Sequence, residues 1–491
     1  MPMPEVTAIP ADTPAISSQG QTIQLCLVSH TNVGKTTLTR TLLGADVGEV
    51  RDAAHVTQHA EAHTLLQTDS GDRLVWWDTP GLGDSLRLYR RLSQAGNPLG
   101  WFLSEVWDRW TDGAFFLSQR AMRSARDNAD VVLYLVNASE APQDAGYLAS
   151  ELKILGWMGK PVLVLLNQLG AAGNMQAQAA EVARWQQHLT TWPVVRAVLP
   201  MDAFSRCWVQ EDALFQALAP CLGDGQQAAF QTLVAHWWRL QARRLRACMA
   251  AVAPALLAAA QVQRGEAAQA HEALVLRVQQ SQQTWTRALL EQHGLQGEAG
   301  RPHWQALADS LLQARTPVNT KQAGLLGAIS SGAATGLGAD LVAGGLSLGL
   351  GALVGAVAGA VTFAGAAIAA NRLRGVEVPE ARLSPEAWRE LVEVAVCTYL
   401  AVAHFGRGRG AFVDEGAPEL WRNVVRGVLA HRVEALNSMA IAPEAPDAAQ
   451  RLATLLEDAA LLALKQLYPG MDLRTAQQAL SAESGPVTAA S

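Results

Sequence analysis

The run Ser29-His30-Thr31-Asn32-Val33-Gly34-Lys35-Thr36 constrains this chain more than any other feature. An apolar, β-prone segment (Ile23 to Val28) precedes it, and a helix-like segment beginning Thr37-Leu38 follows. A strand, a phosphate-cradling loop and a helix in that order make an anion site. Backbone N–H groups converge on the anion, the helix N-terminus adds partial positive charge, and a lysine reaches the terminal phosphates. Lys35 stands where that lysine belongs, and Thr36 offers a hydroxyl to Mg²⁺. The pattern has a glycine where this chain has Ser29.

Downstream segments give the loop its context. Lys35 to Leu43 reads as a helix stopped by Gly44, followed by a polar stretch, Asp46 to His59, that contains Thr57. His63 to Thr68 and Arg73 to Trp77 read as two strands joined by a Ser-Gly-Asp turn. The second strand runs directly into Asp78-Thr79-Pro80-Gly81. An aspartate at the end of a buried strand can hold a Mg²⁺ shell, and a glycine amide there can sense a terminal phosphate. Ala129 to Asn137 is apolar enough for a central parallel strand, and Gln143 to Trp157 reads as a helix. Pro161 to Leu166 is a further strand ending on Asn167-Gln168-Leu169-Gly170, and Val194 to Leu199 leads into Met201-Asp202-Ala203-Phe204. Strands alternating with helices predict an α/β fold with a doubly wound, mostly parallel sheet, whose ligand lies beyond the carboxyl ends of the strands. All four motifs stand at such ends.

Asn32 to Thr36, Asp78 to Leu82 and the strand from Ala129 to Asn137 together resemble small bacterial GTPases of the Era and TrmE type, over residues 22–215. The resemblance implies a P-loop GTPase domain with Mg²⁺ as its cofactor. It implies that Ser29, His30, Thr31, Asn32, Val33, Gly34, Lys35, Thr36 and Thr37 surround the phosphates. Thr57 then becomes the switch-one threonine, while Asp78 and Gly81 form switch two. Thr36, Thr57 and Asp78 would hold the metal, and Asn32, Lys35, Thr57 and Gly81 would serve hydrolysis. Asn167 and Gln168 open the base-recognition motif, and Asp202 and Ala203 fall in the family's fifth motif.

Three departures qualify what the resemblance implies. The family's base motif is Asn-Lys-x-Asp, whose aspartate accepts two hydrogen bonds from guanine; here Gly170 stands in its place. A site that owes its selectivity to paired acceptors loses it with them. Asp202 either substitutes for that carboxylate or caps the next helix. Leu82 follows the switch-two glycine, where Ras-like enzymes keep a water-orienting glutamine, which implies low intrinsic turnover or another route of activation. By resemblance to the TrmE type, Asn32 helps to hold a K⁺ ion, so K⁺ and dimerisation of the nucleotide domains would stimulate hydrolysis; the alternative is that Asn32 shapes the loop. Finally, residues 82–128 form an extended segment carrying Trp101, Phe102, Leu103, Trp107, Trp110, Phe115 and Phe116. These read either as amphipathic helices over the sheet edge or as a partner surface.

After Gln226 the strand signal nearly vanishes. Gln226 to Ala314, Glu386 to Ala435 and Ala449 to Leu467 carry helical apolar spacing, and Trp238, Arg239, Arg243, Arg244 and Arg246 read as a solvated basic face. Between them, Ala323 to Ala370 is almost wholly small and apolar, with Asp340 its only charge and glycines at spacing four in Gly332/Gly336, Gly345/Gly349 and Gly351/Gly355/Gly359. Such spacing suits closely paired helices. The uncharged part from Leu341 makes roughly 45 Å of helix, longer than a bilayer core needs. With Arg315 and Lys321 before it and Arg372 and Arg374 after it, this stretch reads as a glycine-zipper hairpin, either in a membrane with both ends inside or buried in protein. The C-terminal half also resembles the uncharacterised domain that some proteobacterial GTPases carry.

The expected organisation is a disordered leader (1–21), a nucleotide domain (22–222), a helical region (223–322), the glycine-rich hairpin (323–371), a second helical region (372–480) and a disordered tail (481–491). A net charge of −6 across 491 residues gives no electrostatic case for nucleic acid. Five scattered cysteines without a CxxC pair fit a reducing compartment, and the leader lacks the basic start and apolar core of a signal peptide. The expected location is therefore cytoplasmic, with possible attachment to the inner face of the cell membrane. The expected function is a GTP/GDP switch whose helical half engages a membrane or a partner protein. Two alternatives are a catalytically weak nucleotide-binding scaffold and a dynamin-like membrane-remodelling GTPase.

Overall fold

The computed structural model describes residues 20–44, 61–94, 113–170, 175–205, 207–264, 267–297, 380–383, 385–413 and 416–482. The expectations for Thr57, for Trp101, Phe102, Leu103, Trp107 and Trp110, for the glycine-rich hairpin at 323–371, for residues 1–19 and for residues 483–491 lie outside these, as do the side chains of Phe115 and Phe116.

The sheet follows from its runs of β-branched and aliphatic residues. β1 (Thr22–Ser29), β3 (Arg73–Asp78), β4 (Val131–Asn137), β5 (Val162–Asn167) and β6 (Val195–Pro200) are parallel, and β2 (Glu61–Gln67) pairs antiparallel with β3. The spatial order is β2-β3-β1-β4-β5-β6. β4 and β5 are buried on both faces, as continuous apolar runs in parallel sheets require. Alternate residues face opposite ways along each strand. Cys26, Val28, Val132, Tyr134, Val164 and Leu166 therefore join one core, together with Leu88, Leu92, Leu152 and Trp185. Those four come from α2 (Ser85–Gln94), α4 (Leu148–Met158) and α5 (Met175–Leu189), and Met122 adds α3 (Gly113–Asn128) to the same core. The helix expected from Gln143 begins only at Leu148, because residues 142–147 form turns around Gly146.

Leu25, Leu27, Leu133, Leu135, Leu163 and Leu165 face the other way and pack with α1 (Lys35–Leu43) and α6 (Trp208–Leu218). This second core continues without a break into the helical half. Trp237 of α7 (Asp224–Ala260) meets Phe215 at 5.1 Å and Trp238 at 5.1 Å between ring centroids, and Trp208 lies edge-on to Trp238 at 5.7 Å. Trp238 is thus a core residue. The sequence grouped it with Arg239, Arg243 and Arg244, which are exposed, but its ring turns toward Trp208 and away from them. Burial of three indoles at one junction removes far more apolar area than the helix's own propensity could supply.

Around α7 gather α8 (Ala267–Gln292), α9 (Pro385–Ala403), α10 (Glu419–Ala430), α11 (Val433–Ile441), α12 (Ala448–Leu467) and α13 (Leu473–Ala482). A two-residue ribbon, β7 (Gln263–Arg264) with β8 (Glu380–Ala381), is the only strand pairing among the described residues of this half. No helix among the described residues is long and apolar enough to cross a membrane.

Candidate nucleotide site

The loop between β1 and α1 is held open by backbone conformation. Gly34 has φ +95°, and a Cβ there would stand 2.7 Å from Asn167 Nδ2, so no side chain fits. Asn32 has φ +62°, a left-handed conformation that asparagine tolerates better than most residues. That conformation gives Asn32 a loop-shaping role. Lys35 Nζ donates to Ser29 Oγ at 2.9 Å, so the residue that replaces the pattern's glycine anchors the lysine. Gly81 lies against the same group, since a Cβ there would be 3.2 Å from Lys35 Nζ and 3.0 Å from the Thr31 Cα. Phosphate loop and switch two therefore meet at Lys35. Leu82 is fully buried in the core beside Val28 and Leu88, and its N–H donates to Ser29 O at 2.9 Å. Its side chain belongs to that core.

Thr36 Oγ1 donates to Asp78 Oδ2 at 2.8 Å. Asp78 Oδ1 is buried and has no hydrogen-bond partner among the described residues. Burial pushes the Asp78 carboxyl above its usual range, against Lys35 and the Thr36 hydrogen bond. Burial likewise lowers Lys35, opposed by Asp78 and Glu151. An unsatisfied carboxylate oxygen beside a threonine hydroxyl is a donor set that suits a hard, hydrated dication such as Mg²⁺.

On the base side, Asn167 is fully buried at the end of β5. Its Nδ2 donates to Val33 O at 2.7 Å, and its Oδ1 accepts from Ala203 N at 2.8 Å. One side chain thereby ties the phosphate loop to the loops after β5 and β6. Asp202 accepts from Leu169 N and from Phe204 N, both at 2.8 Å, and so latches the two base-side loops together. It does not cap a helix. α6 begins at Trp208 with Cys207 as its cap, and Gln210 Oε1 accepts from Cys207 N at 2.9 Å. Gln168 (φ +61°) turns the chain, and Gly170 is exposed.

Two parts of the site had little or no signature in local sequence. His30 Nδ1 lies 2.8 Å from Glu151 Oε1 and its ring stacks on Tyr147 at 4.3 Å, while Tyr134 O–H donates to Glu151 Oε2 at 2.6 Å. The fully buried Glu151 thus props the phosphate loop from α4. A tyrosine inside the apolar run of β4 was the available signal, because its hydroxyl requires a partner. The second part is a turn at Arg407–Arg409, which follows α9 in the helical half. Gly406 N donates to Phe204 O at 3.3 Å, Arg407 N donates to Thr41 Oγ1 at 3.1 Å across 366 residues of sequence, and Arg407 Nη2 reaches Gly44 O at 2.6 Å and also Gly294 O. The alternating glycines of Gly406-Arg407-Gly408-Arg409-Gly410 were its only mark.

Two family models match the chain. A family model described as a domain of unknown function (DUF3482) matches residues 194–452, and one described as a 50S ribosome-binding GTPase matches residues 24–168. No curated protein shows a significant sequence match to the chain. Among solved structures, a variant of Aquifex aeolicus Era bound to GDP and aluminium fluoride is 19% identical, with TM-score 0.30 over 42% of this chain and 58% of that one. Era in complex with MgGDPNP and nucleotides 1506–1542 of 16S ribosomal RNA is 20% identical, with TM-score 0.30 over 42% and 58%. A member of an oligomerised bacterial dynamin pair is 11% identical, with TM-score 0.23 over 94% and 74%. The chain thus spans 58% of the length of the Era structures it matches. The sheet and its motifs constitute a P-loop GTPase domain joined to an all-helical part.

Proposed function

This chain belongs to the DUF3482 family, and we propose that it works as a GTP-binding switch that hydrolyses GTP slowly. The observation that carries the reading is the convergence of Lys35, Asp78, Gly81 and Asn167, from the ends of the three strands β1, β3 and β5, on one edge of the sheet. Lys35 would neutralise the terminal phosphates, the Gly81 amide would sense the last of them, and the α1 N-terminus would add its partial charge. Thr36 and Asp78 would hold Mg²⁺, which when bound supplies Lewis-acid stabilisation of phosphate charge.

Slow turnover follows from Leu82. A buried aliphatic side chain cannot orient a water molecule, so the chain needs another source of activation. By resemblance to the TrmE type, Asn32 would help to hold a K⁺ ion, and pairing of two nucleotide domains would complete such a site. Equal rates in sodium and potassium buffers at every protein concentration would remove that route. The burial of Leu82 also supports a second reading, a nucleotide-binding scaffold with negligible hydrolysis.

Phosphate release by the purified chain, with Lys35→Ala as control, separates the two. Release that exceeds the control supports the switch; GTP binding without release supports the scaffold. In either case the helical half would engage a membrane or a protein through 323–370. Carbonate-resistant sedimentation that persists after deletion of those residues would count against a membrane hairpin.

A further inference from the structure

We propose that the Gly406–Gly410 loop forms a wall of the nucleoside site and that Arg409 is a specificity-determining residue, reading the O6/N7 edge of guanine. The inference rests on the nucleotide-switch reading and deepens it.

The topology locates the nucleoside. Phosphates belong at Lys35, at the end of β1, and the base-side loops follow β5 and β6, on the β4 side of β1 in the sheet. A nucleotide bound at both places must run from Lys35 past the first turn of α1 toward residues 167–170 and 202–204. The Gly406–Gly410 loop lies along that path. A Cβ on Gly408 would stand 2.6 Å from Thr37 Cγ2 and 2.8 Å from Phe204 Cδ1, and a Cβ on Gly406 would stand 2.0 Å from Ala203 O. At Gly406 backbone approaches backbone and at Gly408 it approaches packed side chains, and glycine alone leaves room at both. Ser205 and Phe405 form an isolated bridge, and the Gly406 and Arg407 amides are bonded to Phe204 and Thr41. The loop is therefore fixed to the two elements, α1 and the loop after β6, that flank a bound nucleoside.

Charge and chemistry then single out Arg409. It is exposed at the end of this turn; burial raises the Asp202 carboxyl above its usual range, and the Phe204 and Leu169 amides, and then the charge of Arg409, oppose that. Gly170, where a carboxylate would read guanine's N–H donors, offers none, and a Cβ there would meet nothing within 4 Å. Discrimination must come from another edge of the base. A guanidinium presents two parallel N–H donors, which match the O6 and N7 acceptors of guanine. Adenine offers N7 but places an amino donor where O6 would be. A bidentate pair of this kind gives roughly 5- to 100-fold preference for the right base.

The test uses the full-length chain and titrates GDP, ADP and inosine diphosphate. Inosine keeps O6 and N7 but lacks the 2-amino group, so a site read by Arg409 binds it within about threefold of GDP. A site read by a carboxylate would bind it far more weakly than GDP, because one of the two donors to that carboxylate is gone. Arg409→Ala should lower GDP affinity to the ADP level and leave ADP unchanged, and Arg409→Lys, which lacks the planar fork, should not restore the preference. Because Arg409 is exposed, both variants should melt with the wild-type chain. GDP preference that survives Arg409→Ala, inosine diphosphate that binds far more weakly than GDP, or a wild-type chain with no GDP preference would each overturn the role of Arg409 and leave the switch reading standing. Absence of any nucleotide binding by the wild-type chain, matching Lys35→Ala, would overturn both.

Discussion

Asn167 offers the sharpest check on how this site is built. Its amide donates to Val33 O at 2.7 Å and accepts from Ala203 N at 2.8 Å, with no solvent exposure. Asn167→Ala removes both bonds and strands two buried backbone groups, so the apo protein should lose about 2–5 kcal/mol. Asn167→Asp keeps the acceptor for Ala203 N, but an ionised carboxylate would then face the Val33 carbonyl, two acceptors with no proton between them. Only the protonated acid can donate to Val33 O as the amide does, so folding favours protonation and the folded-state pKa rises above its unfolded value. A raised carboxyl pKa contributes stability that is lost as pH rises through it. Asn167→Asp should therefore lie nearest the wild-type chain below about pH 4, the ordinary carboxyl range, and fall below Asn167→Ala at pH 8. Urea midpoints of the full-length chain without nucleotide, each compared with wild type at the same pH, measure this directly. A gap between Asn167→Asp and wild type that does not change with pH would refute the bonding scheme, because the amide donor would then have no role.

Two further outcomes concern the helical half. Trp237→Ala should cost about 3–5 kcal/mol, the range for truncating a buried indole, since Trp237 packs on Phe215 and Trp238 and its Nε1 donates to Glu211 Oε2 at 2.8 Å; a loss below about 1 kcal/mol in urea denaturation would show the junction to be loosely packed. His404 donates from Nδ1 to Leu400 O at 2.6 Å and its Nε2 accepts from Tyr468 O–H at 2.7 Å, and burial lowers its pKa from 6.5 to about 4. The unfolded chain binds the extra proton across that window, so stability should fall by about 3 kcal/mol as pH drops through it; His404→Gln, neutral throughout, should flatten that part of the profile, and an unchanged slope would count against the assignment.

The phosphate-binding half of the site was legible because its chemistry is local. Lys35, Thr36, Asp78 and Asn167 are each placed by the strand that precedes them, and a strand's end can be read from its apolar run. What depends on proximity in space was not legible. Asp202 looked like a helix cap or else a base contact, and became a latch only because the loops after β5 and β6 lie side by side. Leu82 looked like a substitution at a reacting centre, yet its side chain belongs to the core. Trp238 looked solvated because arginines surround it in sequence, although it is buried against Trp208. The contact of Gly406 and Arg407 with the nucleotide domain had no sequence rule to announce it.

The tryptophan junction has a mechanical consequence. α7 comprises 37 residues, roughly 55 Å of nearly continuous rod, and it is clamped in its first half, at Phe230, Trp237 and Trp238, by Trp208 and Phe215, which belong to the same core as α1 and the sheet. The part of the rod beyond the clamp carries the helices packed along it, so the two move together. A tilt of about five degrees at the clamp carries the far end, about 33 Å beyond Trp238, through about 3 Å, roughly half a helical turn. A shift at the strand ends too small to alter any single hydrogen bond would there become large enough to change which side chains meet.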